Sequence, residues 1–416
     1  GKGCGGMAQL QADVGGDTKP AFNRSLAVAM LILALNLRVP FLAVTPLFPF
    51  IKLDYGLSNS VISLLTVLPL FVFAMGSFLA SFIAERWGIG RTLMGGLCSI
   101  FVGEIIRYVG GEPGLFIGTV CLSAGIVLGN VLLPSLIRGF FTGHVGLMTG
   151  AYSTLAQVAT TLFLAFAVPL TLLMGWHDAV MIVSIAAVVA LALWWPYRKL
   201  ELPKRATDNA VGDGPKRSMW QRLKALYSQP LAWQISFFMG LQSLVFFCSA
   251  TWIPTLAISR GLTPTQGGLL GFLLQGGALI CSFLTPLVMA RVKKQSVLTA
   301  CITLLNVVGL VLLLNSTTFQ TIAIATLVIS VAVGSTFVIG LMYFVVRSPS
   351  AQTAALVSGT GQSIGYTLAA LGPLMMGVLV DITGTWSVPI TVVICIVFVC
   401  AWCGYLGGRQ RVLKEV

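Results

Sequence analysis

Charged residues are scarce in this sequence. Only 9% of its 416 residues are charged and 57% are hydrophobic, whereas a soluble globular domain carries roughly 25% charged residues. So few charges cannot cover the surface of a soluble domain of this length. The chain also has only two histidines, and it lacks an HExxH motif, a Ser-His-Asp set and a phosphate-binding loop. We therefore expect neither an enzyme nor a bound metal or cofactor.

Long apolar runs take the place of the missing charges. About a dozen of them reach the roughly 20 residues that cross a bilayer as a helix, and the alternating strands of a membrane barrel are absent. This pattern predicts an all-α integral membrane protein with twelve transmembrane helices. The predicted helices cover residues 24–50, 58–83, 91–110, 114–137, 147–173, 177–196, 230–256, 264–290, 296–314, 319–346, 352–380 and 384–406.

The positive charges indicate a topology. The net charge is +13, but the Lys and Arg residues lie between the apolar runs, mostly in every second loop, rather than on a basic soluble domain. The positive-inside rule then places both termini in the cytoplasm and the chain in the cytoplasmic membrane. The charge is explained without a nucleic-acid partner, so lipid and a small molecule are the expected partners of a monomer.

The longest polar segment divides the predicted helices into two sets of six. The expected organisation is a leader of expression-tag origin with a disordered tail over 1–23, a six-helix half over 24–197, a cytoplasmic linker over 198–229, a second six-helix half over 230–408 and a cytoplasmic tail over 409–416. The linker is too short for a catalytic or ligand-binding domain, so the chemistry is expected within the helices.

Two spacings recur in both halves. Each half has a Gly followed 30 residues later by an Arg, and a Gly–Arg–Gly pattern with intervals of 13 and 12 residues. The repeated positions are Gly56 and Arg86, Gly261 and Arg291, the set Gly125, Arg138 and Gly150, and the set Gly334, Arg347 and Gly359. Such parallel six-helix repeats are typical of the major facilitator superfamily, in which one half rocks against the other.

Short segments carry a more specific resemblance. Four of them resemble the cyanate and 2-nitroimidazole transporter family of that superfamily: LALNLRVPFLAVTPLFP, GIVLGNVLLPSLIR, GLQSLVFFCSATWIP and SGTGQSIGYTLAALGP. The loop AERWGIGRT resembles the superfamily's acidic-Arg-x-Gly motif, although Ile89 and Gly90 stand where basic residues are usual. The resemblance implies a conformational latch made of Glu85, Arg86, Gly88 and Arg91, in which Glu85 pairs with Arg86. The alternative is an ordinary positive loop.

Arg38 lies near the middle of the first predicted helix. A charge at that depth costs roughly 2.5 to 3.5 kcal/mol and normally faces a partner or a water-filled cavity. In the fold that the resemblance implies, the first, fourth, seventh and tenth helices line the central cavity. The planar guanidinium suits a carboxylate, a nitro group or a linear anion, so we interpret Arg38 as the anion-binding group. The alternative is a structural Arg that binds carbonyls left unpaired by Pro40.

A second ionisable pair lies in the third predicted helix. Arg107 follows Glu104 by three residues, so both lie on one face and an intrahelical ion pair would satisfy them. Alternatively, Arg107 contacts the anion or belongs to an outer gate. Glu104 is the single carboxyl well inside a predicted helix. It is the candidate carrier if transport is coupled to protons.

Neutral polar and aromatic residues complete the predicted pocket. A mostly apolar cavity with a few placed donors and one charge would bind a small, partly aromatic or weakly acidic anion. For each amide the alternative is a hydrogen bond between helices. The candidate substrate-binding residues, besides Arg38 and Arg107, are Thr45, Asn130, Gln242, Phe246, Tyr343, Gln362 and Tyr366.

The sequence thus predicts a secondary active transporter that moves a small anion by alternating access. A cyanate-like, nitroimidazole-like or small carboxylate anion fits the resemblance, with a proton as the candidate coupling ion. The alternative is a proton-coupled multidrug exporter of the same superfamily. Such exporters usually carry a carboxylate in the first or fourth helix, whereas this chain has Arg38 there.

Overall fold

The computed structural model describes residues 22–44, 47–57, 59–203 and 217–416, which form sixteen α-helices. The predicted tail up to residue 21, Thr45 and the middle of the linker lie outside these residues. The helices are α1 (Arg24–Leu35), α2 (Val39–Leu42), α3 (Phe48–Tyr55), α4 (Asn59–Trp87), α5 (Ile89–Val109), α6 (Gly111–Phe140), α7 (Val145–Met174), α8 (Trp176–Met181), α9 (Val183–Trp194), α10 (Met219–Tyr227), α11 (Pro230–Ser259), α12 (Pro264–Arg291), α13 (Gln295–Asn315), α14 (Phe319–Val346), α15 (Ala351–Thr383) and α16 (Ser387–Gly408).

Most of these helices are long enough to cross a membrane. Among the described residues, eleven segments have the length and apolar composition of a membrane span. The 30-residue helix α7 occupies the position of the remaining predicted span. Many large apolar side chains on the outer faces of the helices are exposed, as expected where lipid surrounds the bundle. The predicted all-α, multi-pass fold is confirmed.

The first predicted helix is not continuous, and that expectation was wrong. A turn over residues 36–38 separates α1 from α2, and Arg38 is the residue before α2, with φ −129° and ψ −46°. The cause is Pro40. It has no N–H to donate to the carbonyl of Asn36, but it is tolerated in the first turn of a helix, where that N–H would have no partner. The helix therefore ends before Arg38 and starts again after it.

The two halves meet closely on one side of the bundle, which we call the linker side because the linker 198–229 crosses there. Ser135 Oγ donates to the carbonyl of Ala351 at 2.8 Å, and Arg138 Nε donates to the carbonyl of Ser348 at 2.9 Å. Within the described part of the chain, all hydrogen bonds between the halves lie on this side or beside the central cavity. The bundle is therefore closed on the linker side.

Helix α10 of the linker connects both halves on the same side. Ser218 caps its N-terminus through a capping box. Arg222 pairs with Glu85 at the end of α4, and the Tyr227 hydroxyl donates to Thr360 Oγ1 of α15 at 2.6 Å. Since α4 belongs to the first half and α15 to the second, α10 connects the two halves on the closed side.

Candidate substrate cavity

A cavity of about 110 Å³ lies between the two halves. One water needs roughly 10 to 15 Å³ by this measure, so the cavity has room for several waters or for a small ligand. Aromatic and aliphatic side chains form most of its wall. The polar lining residues are Arg38, Asn130, Tyr152, Ser153, Gln157, Gln242, Ser243, Gln275, Ser282, Gln362 and Tyr366.

Arg38 is the single charged residue among the described residues that line this cavity. The helix break places its backbone at the cavity wall, because residues 36–38 do not continue the helical spiral of α1. Its guanidinium carbon lies 5.9 Å from the ring centre of Phe337 on α14. No described carboxylate lies within 4.0 Å of this guanidinium. An aromatic face offers a cation a partial electrostatic partner, but it does not cancel the charge.

Aromatic rings form the wall beside Arg38. The ring of Phe41 meets that of Phe73 edge-on at 5.3 Å, and Phe73 lies 5.1 Å from Tyr366. Phe246 and Phe247 form a second edge-on pair at 5.2 Å on α11. Rings in these arrangements leave faces and edges free for a planar guest. The cavity therefore combines one positive charge with an aromatic lining.

The amides of the cavity serve partly as contacts between helices. Gln362 Nε2 donates to the carbonyl of Asn130 at 3.0 Å and to Ser358 Oγ at 2.9 Å. Gln242 Nε2 donates to the carbonyl of Met239 at 3.1 Å, and its Oε1 is buried with no hydrogen-bond partner among the described residues. The interhelical role that the sequence left open therefore applies to Gln362. Its bond to Asn130 also joins the two halves.

The structure brings together most of the residues predicted for the substrate site. Six of them line the cavity: Arg38, Asn130, Gln242, Phe246, Gln362 and Tyr366. Tyr343 lies elsewhere, because it is on the opposite face of α14 from the cavity-lining Gly334 and Phe337. Its hydroxyl is 2.5 Å from Thr299 Oγ1, inside the second half. Thr45 lies outside the described residues.

Arg107 is also outside the central cavity. It is 2% exposed, and its Nη2 donates to the carbonyl of Pro40 at 2.7 Å. Both carboxyl oxygens of Glu104 are buried and have no hydrogen-bond partner in the part of the chain that the structure describes, and no ion pair within 4.0 Å joins Glu104 to Arg107. The intrahelical pair considered from the sequence is therefore not formed. Arg107 instead holds the helix break beside Arg38.

The predicted latch has a different partner from the one expected. Glu85 pairs with Arg222 of α10 and not with Arg86, because consecutive residues of a helix do not face each other. Gly88 has φ +84°, so the turn between α4 and α5 uses a conformation that favours glycine, as the motif implied. Arg91 is exposed in the first turn of α5.

Helices α7 and α12 contribute residues that sequence reasoning missed. Tyr152, Ser153 and Gln157 line the cavity from α7. Gln157 Nε2 donates to Ser282 Oγ of α12 at 2.8 Å, which adds a hydrogen bond between the halves. The missed signal was a group of polar residues on one face of an otherwise apolar helix.

Comparisons with known proteins agree with this architecture. The family model described as Major Facilitator Superfamily matches residues 26–373. The chain is 37% identical over 399 residues to the 2-nitroimidazole transporter of Escherichia coli (strain K12), with 94% of this chain and 98% of that protein covered. It is 25% identical over 367 residues to the cyanate transport protein CynX of the same organism, with 87% and 91% covered.

A solved structure shares the fold. The crystal structure of the Escherichia coli fucose:proton symporter FucP matches with a TM-score of 0.70 at 15% identity, covering 94% of this chain and 97% of that chain. At this identity the likeness concerns the fold alone.

Proposed function

The chain belongs to the Major Facilitator Superfamily of secondary transporters, within its cyanate and 2-nitroimidazole transporter family, and on this premise we propose that it carries a small planar or linear anion. In this proposal the protein works by alternating access in the cytoplasmic membrane, and its linker side faces the cytoplasm. Arg38 is the central anion-binding group. The protein is a transporter and not an enzyme.

The observation that carries the proposal is the uncompensated charge of Arg38. A guanidinium enclosed by apolar and aromatic groups has lost most of its hydration, and the described lining residues provide no carboxylate to replace it. A bound anion would supply the missing charge and could accept two parallel N–H bonds from the guanidinium. The same arrangement would repel the cations that many multidrug exporters carry.

The aromatic wall supports a small planar substrate. Phe41, Phe73 and Tyr366 form a continuous set of rings next to Arg38, so a planar anion could stack while its charged end meets the guanidinium. One relative is named as a 2-nitroimidazole transporter and another as a cyanate transport protein. Both of these molecules are small enough for a cavity of this size. We propose Asn130, Gln242, Phe246 and Gln362, which line the cavity together with Tyr366, as further substrate contacts.

The test begins with finding an anion that binds. A thermal-shift screen of the purified protein against cyanate, nitroimidazoles and small carboxylates should reveal ligands that raise the melting temperature. Uptake of such a labelled anion into proteoliposomes should fall at least about thirtyfold in Arg38→Ala, because loss of one partner of a buried charged contact costs roughly 2 kcal/mol or more. Uptake by Arg38→Lys should lie between that of the wild type and that of Arg38→Ala, since an ammonium keeps the charge but lacks the bidentate fork of a guanidinium.

Arg291→Ala is the matched control. This side chain is exposed at the C-terminal end of α12 on the linker side, so its removal deletes a positive charge without touching the cavity, and uptake should stay normal. Normal uptake by a correctly folded Arg38→Ala protein would exclude the anion-binding role. Stabilisation by lipophilic cations and by no anion would instead favour the multidrug exporter.

A further inference from the structure

A buried polar cluster lies beside the helix break, apart from the central cavity. It consists of Glu104 and Arg107 of α5 and the carbonyl of Pro40, and the two side chains are only 1% and 2% exposed. A small separate cavity of about 10 Å³ adjoins them. Pro40 is two residues from Arg38, so any change in this cluster acts on the segment that holds the proposed anion-binding group.

The packing of α5 against α6 directs Arg107 toward the break. A Cβ added at Gly118 of α6 would lie 2.5 Å from Arg107 Cγ, which is closer than real contacts allow. Only a glycine therefore lets the aliphatic part of Arg107 lie flat against α6. In that position its Nη2 reaches the carbonyl of Pro40.

Among the described residues, Glu104 has no partner that could stabilise its ionised form here. Both oxygens are buried and lack hydrogen bonds, and the nitrogens of Arg107 are more than 4.0 Å away. An ionised carboxylate at this location would be neither hydrogen-bonded nor in close ion contact, which costs several kcal/mol in a buried site. Burial without close partners therefore favours the neutral, protonated carboxyl group over the ionised one.

Arg107 has donors to spare for a second arrangement. Its Nε and Nη1 are buried and have no hydrogen-bond partner among the described residues. Glu104 is three residues earlier in the same helix, where side chains are neighbours. Bonds from a guanidinium to a carboxylate are roughly twice as strong as bonds between neutral groups, so an ionised Glu104 would compete with a single backbone carbonyl.

We propose that Arg107 is a positioning residue with two alternative partners: the carbonyl of Pro40 when Glu104 is protonated, and the carboxylate of Glu104 when the proton has left. This rests on the proposed function for Arg38. With the proton bound, Arg107 holds the break and Arg38 is in place for the anion. When Glu104 releases its proton to water, the break loses that bond. Proton and anion then strengthen each other's binding by the same factor, as linkage requires.

Two other titratable residues lie near Glu104, and their effects must be distinguished from its own. Tyr108 of α5 and His177 of α8 line the same small cavity, together with apolar residues of α6 and of the segment after α2. The Tyr108 hydroxyl donates to Asp178, and His177 Nε2 lies 3.0 Å from the Tyr55 hydroxyl. His177 is therefore replaced separately in the tests below, so that its effect is distinguished from that of Glu104.

The first test needs no ligand. Hydrogen–deuterium exchange of the peptide 33–44 is compared at pH 6 and pH 9 in the purified protein, after correction for the intrinsic rate. The amides of the break should exchange faster at pH 9 by about tenfold, a usual size for coupled sites. In Glu104→Gln the two pH values should agree, and in His177→Gln the difference should remain. In Arg107→Met the amides of the break should exchange fast at both pH values. In Arg107→Lys their exchange rates should lie between those of the wild type and of Arg107→Met.

The second test measures anion binding. Benzoate, which is ionised at both pH values, should bind more tightly to the wild type at pH 6 than at pH 9 by about tenfold, and equally at both in Glu104→Gln. The double variant Glu104→Gln/Arg107→Met should behave like Arg107→Met, because Glu104 acts through Arg107. A pH dependence that persists in Arg107→Met, or that disappears in His177→Gln, would overturn the proposal.

The two tests separate this inference from the proposed function. If benzoate and the other anions do not bind at either pH, but exchange at the break follows Glu104, the switch holds and the anion assignment of Arg38 is wrong. If anions bind and Arg38→Ala abolishes binding, but exchange is independent of pH, the switch is wrong and the proposed function stands.

Discussion

At the scale of single residues, the main feature is a charge without a counter-charge. Arg38 lies in a cavity whose described lining residues include no other charged group, and its nearest electrostatic partner on α14 is the ring of Phe337. A cation at 5.9 Å from a ring centre gains a modest attraction while it stays free to bind an anion. Phe337 therefore orients the guanidinium without neutralising it.

Replacing Phe337 with Leu should weaken anion binding. A cation–π contact contributes roughly 0.5 to 1 kcal/mol, so the dissociation constant should rise about two- to fivefold as Arg38 becomes less well oriented. Calorimetric titration of the purified variant with the anion found by thermal shift measures this change. Phe398→Leu is the control, because that ring is 54% exposed on α16 and faces away from the cavity. Equal affinities in the two variants would contradict the orienting role.

At the scale of helices, the break between α1 and α2 positions the site. Pro40 cannot donate the hydrogen bond that would continue the helix. The chain turns before it, where the N–H of Asn36 donates to the carbonyl of Leu33 at 3.0 Å and the N–H of Leu37 donates to the carbonyl of Ala34 at 3.1 Å. Asn36 Nδ2 donates to the carbonyl of Ala186 on α9 at 3.2 Å, which fixes the turn from the outside. The break is thus held from two sides, by α9 and by Arg107.

Pro40→Ala should separate stability from transport. The alanine restores an N–H that can bond to the carbonyl of Asn36 in a continuous helix, so the melting temperature should stay the same or rise. Uptake should nevertheless fall about tenfold or more, since a continuous helix turns Arg38 away from the cavity. Pro134→Ala, within the unbroken helix α6, is the control. A Pro40→Ala protein with normal uptake would show that the break is not needed.

At the scale of the whole molecule, the two halves are closed on the linker side. Helix α7 packs against α12 there, and a Cβ added at Gly146 would lie 2.6 Å from the carbonyl oxygen of Pro286. Helix α10 and the hydrogen bonds that Ser135 and Arg138 donate to the second half lie on the same side. In the proposed alternating-access cycle these contacts must separate, so we expect small residues at the α7–α12 contact to affect how easily the closed state forms.

Gly146→Val should favour opening on the linker side. Overpacking of a close contact costs roughly 1 to 3 kcal/mol, and about 1.4 kcal/mol changes an equilibrium tenfold. The readout is a cysteine introduced at Ser153 in the cavity wall, labelled from each side of a vesicle by a membrane-impermeant maleimide. Labelling from the linker side should become about tenfold faster with Gly146→Val.

Gly95→Val provides the matched control for this experiment. A Cβ at Gly95 meets no atom within 4 Å, so the same substitution leaves the contact between the halves unchanged. Equal labelling in the two valine variants would show that the α7–α12 contact does not limit opening. The protein without the introduced cysteine measures the background labelling of its native cysteines.

Much of this architecture could be read from the sequence alone. The long apolar runs have few ways to satisfy their backbone in lipid, so composition leads directly to an all-α, multi-pass bundle. Arg38 was found because a charge in an apolar run is costly, and that cost applies in any fold. Pro40 was visible too, but the prediction ran the helix through it, because a proline can kink a helix or end it and its surroundings decide which.

The rest depended on tertiary structure, because it concerns groups far apart in the chain. Arg107 and Pro40 are 67 residues apart, and Gln157 and Ser282 are 125 apart, so no local pattern predicts either bond. Local spacing pointed to other partners than those in this structure, as it offered Glu104 for Arg107 and Glu85 for Arg86. Which partner a buried charge takes is decided by the helices that pack around it, and that packing exists only in the folded bundle.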